Sequence, residues 1–340
     1  MKRSAFNVLK YLAMLGVGIA LLWLVFKDQN LSEVFYKIRH AKFGWIFLSL
    51  VFAFLAFASR GYRWIMLLEP LGYKAKMYNT YHAMMVGYFA NLAIPRIGEV
   101  TRSGLLAQRE KIPFEVVFGT VIVERIIDLI LLIVAISCIL IFQMDTLGGF
   151  FTENIFKPLQ GKLSGVFGNP MIPIGVIAVI ILIVFILRRS SKKNENSIGA
   201  KIKKLFKGIG EGIATVAQMK RPFAFIFHTF FIWFMYFMMT YVCFFAIEST
   251  AHLGPGEGLF TLIIGGLGMA APVQGGIGTY HLLVSKGLQL FDISYNDGIV
   301  FATLVHTYQT LLVVFLGTVS LLMLFLSKRK NAIHESPATS

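Results

Sequence analysis

Apolar residues in this chain gather into long runs, separated by short charged segments. Six runs approach the ~20 residues that a helix needs to cross a hydrocarbon core. They lie at about 8–26, 45–67, 115–143, 171–188, 223–247 and 298–326. Two further apolar stretches, 78–95 and 259–290, are interrupted. Each holds Pro-x-x-Gly, at Pro95–Gly98 and Pro272–Gly275, and the second adds Gly276 and Gly278. Proline removes a backbone donor and glycine opens the left-handed region, so neither stretch is expected to form one unbroken helix. Broken backbone at membrane depth is tolerated only where protein or a water-filled cavity surrounds it. The pattern predicts an all-α polytopic membrane protein with two broken elements.

Composition removes the soluble alternatives. Of 340 residues, 56% are hydrophobic and only 14% are charged, against roughly 25% charged in soluble domains. The net charge of +15 would suggest nucleic acid in a soluble protein. Here it lies between apolar runs and no recognition motif accompanies it, so no nucleic-acid partner is expected. The two cysteines, Cys138 and Cys243, lack metal-ligand spacing. Lys2, Arg3 and Lys10 precede the first run, and no small-residue cleavage site follows it, so an uncleaved first span is expected.

Charge then decides the topology. The segment 188–222 holds ten Lys/Arg, and Lys328, Arg329 and Lys330 follow the last run. By the positive-inside rule both belong in the cytoplasm with the N-terminus. The segments 144–170 and 248–258, with two and zero Lys/Arg, belong outside. These assignments agree only if each broken stretch dips into the membrane and returns on the side it entered. The expected fold is six full spans plus two re-entrant hairpins, near 78–114 and 259–290. Three spans per half invert one half (1–143) relative to the other (144–330), the inverted-topology repeat of many secondary transporters. Residues 331–340 are expected to be a disordered tail. The segment 27–44 runs against this scheme, because Lys27, Lys37, Arg39 and Lys42 would face outside. The spacing of Leu31, Val34, Phe35 and Ile38 suggests an interfacial amphipathic helix there. Lys201–Met219 reads as a second such helix, on anionic headgroups at the cytoplasmic face.

Ionisable residues inside apolar runs are costly and mark candidate chemistry. The run 115–143 contains Glu124, Arg125 and Asp128, spaced to share roughly one side of a helix. They form either a self-neutralising packing cluster or a site for a charged headgroup, with Arg125 as a phosphate fork. The first break carries Asn91, Arg96, Glu99 and Arg102, placed either to hold phosphate or to sit in headgroup water. Arg60 and Arg63, one turn apart, are expected to snorkel to the cytoplasmic interface. In the second break, Gly275-Gly-Ile-Gly278 offers either an anion-binding nest or close packing. His306 and His281 are polar groups near or within the last span. No Walker loop and no His-Glu-x-x-His occurs, so neither an enzyme nor a cofactor or metal is expected.

Three ordered segments resemble the flippase-like membrane family: Asn91–Arg102, Val123–Asp128 and Pro272–Gly278. Its members include the transmembrane region of lysylphosphatidylglycerol synthases and their stand-alone relatives. Arg60-Gly-Tyr-Arg-Trp64 also fits the family's Arg-rich helix end. The resemblance covers about 8–326 and implies lipid translocation between leaflets, with the hairpins lining the path. Arg60, Arg63, Arg96, Arg102 and Arg125 would then meet headgroup phosphate. Asn91, Glu99, Glu124, Asp128 and His306 would gate the path or pair with the arginines. In the full synthase a C-terminal soluble domain transfers lysine; this chain ends at Ser340, so that activity is not expected. The expected partner is a phospholipid or polyprenyl-linked lipid of the bacterial cytoplasmic membrane, with both termini cytoplasmic; a homodimer is compatible with the chain. The alternative is an integral membrane enzyme or accessory subunit acting on phospholipid or polyprenyl-phosphate lipids, with Glu124 and Asp128 as acid and base.

Overall fold

The computed structural model describes residues 31–142 and 218–335, together with Trp23, Phe26, Lys27, Lys157 and Gln160. The expected spans at 8–26 and 171–188 and the surface helix at 201–219 fall outside these residues, apart from Trp23, Phe26, Gln218 and Met219. Everything regular among the described residues is helical. A short helix α1 (Leu31–Arg39) leads into α2 (Phe43–Leu68). The first hairpin follows as α3 (Met77–Ala93) and α4 (Gly98–Glu110), and then α5 (Phe114–Phe142). The later part repeats the order with α6 (Pro222–Tyr241), a hairpin of α7 (Pro255–Ala270) and α8 (Thr279–Leu288), and α9 (Tyr295–Glu335).

Three described segments are long and apolar enough to cross a membrane: Phe43–Leu71, Pro222–Ala246 and Tyr295–Ser327. Their outward faces are apolar as well. On α6, Phe223, Phe227, Phe230 and Phe234 are exposed, and on α9 so are Leu311, Phe315, Leu322 and Phe325. Apolar stripes of this kind on the outside of a packed bundle belong to a protein solvated by lipid. The last helix runs to Glu335, so residues 331–335 are helical rather than part of a disordered tail. Ala332 and Glu335 favour helix, and no proline comes before Pro337.

Both breaks are real interruptions with close backbone approach. After α3 the chain is extended at Ile94, as expected before Pro95, and Arg96 takes a left-handed φ of 63°. Asn91 Oδ1 accepts the Gly98 N–H at 2.6 Å and so caps the start of α4. A Cβ on Gly98 would overlap the Gly87 carbonyl, so the two arms meet backbone to backbone. In the second break Gly275, Gly276 and Gly278 have φ of 56°, 71° and 81°, which only glycine takes without cost. A Cβ on Gly268 would lie 2.8 Å from the Tyr280 Cα, so α7 and α8 are drawn together in the same way.

The two sets of helices pack in matching order. Helix α2 packs on α6; α3 packs on α9 as α5 packs on α7; α4 packs on α5 as α8 packs on α9. Each hairpin also leaves through the same turn. Lys111 and Asp292 are left-handed at φ 55° and 60°. The next residue, Ile112 or Ile293, is buried, and its N–H reaches the carbonyl five positions back, Ala107 or Leu288. Helix α1 lies on α9, with Val34 buried but Phe35 and Tyr36 exposed. Lys37 on α1 is paired with Glu33 at 2.8 Å and Asp297 at 2.9 Å, and those carboxylates raise its pKa above the ordinary amine value.

Candidate functional site

The charged residues of α2, α4 and α5 meet in one buried cluster. Arg60 and Arg63 do not snorkel. They face Glu124 and Asp128, which are likewise one turn apart on the neighbouring helix. Arg60 contacts Glu124 and lies 3.1 Å from Asp128 Oδ2. Arg63 Nη2 lies 2.8 Å from Asp128 Oδ1 and 3.6 Å from Glu124 Oε1. Arg102 enters from α4, with Nη1 3.0 Å from Glu124 Oε2. Arg63 is 0% exposed, Arg102 1%, Glu124 1% and Arg60 5%, so the cluster is withdrawn from any interface. The reason is packing: Met66 and Leu67 of the last turns of α2 lie against Val123 and Phe225, which puts the arginine face inside.

Aromatic residues hold the guanidiniums in place. Arg102 stacks over Trp64 at 4.8 Å, and Trp64 Nε1–H donates to Thr120 Oγ1 at 2.9 Å. Arg60 lies 5.9 Å from the Tyr88 ring and donates from Nη1 to the Tyr236 hydroxyl at 3.1 Å. Desolvated cation–π contacts of this type are worth about 2 kcal/mol each.

The cluster is not balanced. Among the described residues, three guanidiniums face two carboxylates. Arg60 Nε, Arg63 Nε and Nη1, and Arg102 Nε and Nη2 are buried and without a hydrogen-bond partner in the described structure. A buried cation without its counter-charge costs several kcal/mol. An arrangement with one surplus cation and unused N–H groups is therefore suited to receive an anion. A planar, forked donor set fits phosphate oxygens better than a point charge does.

Arg125 lies outside this cluster, contrary to the expectation that it would share a face with Glu124 and Asp128. Consecutive helix positions are about 100° apart, and Arg125 projects toward α4, where it pairs with Glu99 at 2.9 Å and stays 42% exposed. Arg96 is exposed at the tip of the first hairpin, where its guanidinium bonds the Ala270 carbonyl. The sequence signal for this pairing is the matched one-turn spacing of Arg60/Arg63 and Glu124/Asp128. Thr120, Tyr88 and Tyr236 carry no signal of their own, because their roles depend on which helices adjoin.

The hairpin tips meet each other. Arg96 Nη2 donates to the Ala270 carbonyl at 3.1 Å, and Gln274 Nε2 donates to the Ala93 carbonyl at 3.2 Å. Ala93 and Ala270 are the last residues of α3 and α7, so each break satisfies the helix end left open by the other. His306 Nε2 lies 2.8 Å from the Gly275 carbonyl and ties α9 to the second tip. Of the two readings of Gly275–Gly278, nest or close packing, the turn favours packing at its centre, where the Gly276 and Ile277 amides bond the Val273 and Gln274 carbonyls. Gly276 packs on Met269. Pro95 and Pro272 stand in the two breaks.

The family described as lysylphosphatidylglycerol synthase TM region matches residues 11–317. A UPF0104 membrane protein of Methanocaldococcus jannaschii is 29% identical over 119 residues, covering 34% of this chain and 33% of that protein. No solved structure matches the chain.

Proposed function

The chain belongs to the lysylphosphatidylglycerol synthase transmembrane-region family, and from this membership and the unbalanced arginine cluster we propose that it moves a phosphate-bearing lipid between membrane leaflets. The observation that carries the reading is the surplus buried cation, with five unpartnered guanidinium nitrogens beside the first hairpin. Lipid phosphate would enter between the hairpins and take up those donors. The bland account, a packing cluster only, explains the ion pairs but not the surplus charge. Glu124 and Asp128, the pair an enzyme reading would need as acid and base, are both held by guanidiniums, and no observation favours lipid chemistry over lipid movement.

The proposed architecture is six spans and two re-entrant hairpins in inverted halves, in a bacterial inner membrane with both termini cytoplasmic. The exchange-matched packing of the helices, the shared exit turns and the reciprocal tip bonds all support it. Such symmetry puts the tips near the midplane. Neutralisation of Lys37 by Glu33 and Asp297 weakens the vote of the basic 27–44 segment against this topology.

Two measurements check the reading. In a background with Cys138 and Cys243 replaced by alanine, membrane-impermeant maleimide should label Lys74→Cys and Gln108→Cys from the cytoplasmic face only. It should label His252→Cys and Gln289→Cys from the outer face only. Labelling of the two ends of one hairpin from opposite faces would contradict re-entry. The purified full chain in vesicles of phosphatidylcholine and phosphatidylglycerol should also carry headgroup-labelled phosphatidylglycerol across. Rates equal to protein-free vesicles would reject phosphatidylglycerol as cargo, and the same result with a polyprenyl phosphate would reject transport.

A further inference from the structure

The second set of helices holds buried titratable groups that the arginine cluster does not use. His281 on α8 and His306 on α9 are 4% and 8% exposed, and their rings lie 5.0 Å apart at 66°. His306 Nε2 bonds the Gly275 carbonyl. A carbonyl only accepts, so this nitrogen carries the hydrogen and Nδ1 of His306 keeps the basic lone pair. His281 Nδ1 is buried and has no partner.

The position of the pair is informative. His306 stands as far past Asp292 as Arg125 stands past Lys111, and Tyr280 as far before Asp292 as Glu99 before Lys111. Arg125 and Glu99 form an ion pair, while His306 and Tyr280 face each other with ring centroids 5.2 Å apart. Where one set of helices carries an ion pair, the other carries an imidazole and a phenol, and of these the imidazole can take a proton.

Among the described residues, the ionisable groups facing the two imidazoles are each other, Tyr280 on α8 and, beyond Tyr280, Cys243 in the turn after α6. Of the three described residues before Leu31, Phe26 has its ring 6.2 Å from His281. Among the described residues no carboxylate is placed to balance an imidazolium. A proton on this pair therefore needs a negative charge brought from elsewhere, and the tip that His306 holds is where the proposed cargo passes.

We propose that His281 and His306 form a proton-binding site that fills when an anionic lipid phosphate reaches the hairpin tips, so that lipid movement carries a proton. This rests on the transport reading above. Protonation at His306 Nδ1 turns its bond to Gly275 into a charge-assisted one, which links proton uptake to the conformation of the break. By thermodynamic linkage the lipid must raise the proton affinity of the pair by the factor by which the proton raises lipid affinity.

The test is a titration of the full chain carrying 15N-imidazole histidines, in neutral maltoside micelles, from mildly alkaline to mildly acid pH. Short-chain phosphatidylglycerol is present in one arm and inorganic phosphate in another. The lipid is expected to raise the titration midpoint of the pair by about one unit, a tenfold gain in proton affinity. A shift with lipid alone supports a lipid phosphate as the linked anion, and a shift with both supports any phosphate. His281→Gln and His306→Gln should each abolish the shift. Imidazoles that titrate alike with and without both anions would overturn the proposal, as would a full shift surviving in both variants. A shift without lipid flux in vesicles would reject the transport reading and leave the proton site standing.

Discussion

Glu124→Ala is expected to unfold the protein rather than merely slow it. Glu124 is the carboxylate that all three buried guanidiniums share, with contacts to Arg60, Arg63 and Arg102. Its removal leaves three cations facing Asp128 alone, at positions 0–5% exposed. Breaking a buried ion pair from one side costs about 3–5 kcal/mol, a large fraction of the total stability of a domain. The check is the thermal unfolding midpoint and monodispersity of the purified variant in detergent. Glu124→Gln keeps the shape and one acceptor and should fall between the two. Partial rescue of Glu124→Ala by adding Arg102→Leu would show that the penalty is electrostatic. An unchanged midpoint in Glu124→Ala would mean that water reaches the arginines and that the cluster is not a sealed one.

What the sequence made legible follows from the range of each cause. The breaks were readable because Pro95, Gly98, Pro272 and Gly275 act on their own backbone, and the structure interrupts the helices at those residues. The long helices were readable because continuous apolar runs leave little choice of element. The partner of each buried charge was not readable, because it depends on which helices pack together. The place of Arg60 and Arg63 near a helix end points to the interface, whereas the last turns of α2 are buried under Val123 and Phe225. Spacing alone groups Arg125 with Glu124 and Asp128, whereas one helical step turns it toward Glu99. The reciprocal bonds of Arg96 and Gln274 join residues far apart in the chain and leave no local trace.

Arg102→Gln separates the two roles of the arginine cluster. Arg102 is the third guanidinium, and removing it leaves Arg60 and Arg63 opposite Glu124 and Asp128, a balanced set. The fold should survive, losing the stacking on Trp64 and one ion pair but shedding an unmatched buried charge. Transport should not survive intact, because the surplus cation is the element assigned to lipid phosphate. Losing one hydrogen bond to a charged group costs about 1.5–3 kcal/mol, which predicts a fall in translocation rate of roughly 10–100-fold. The decisive measurement is the initial rate of headgroup-labelled phosphatidylglycerol translocation by Arg102→Gln and by the unaltered protein, in matched vesicles with equal incorporation and with unfolding midpoints recorded for both. A large loss of rate at a nearly unchanged midpoint is the predicted result. Equal rates in the two proteins would contradict the assignment of the cluster to the lipid and leave it a packing device.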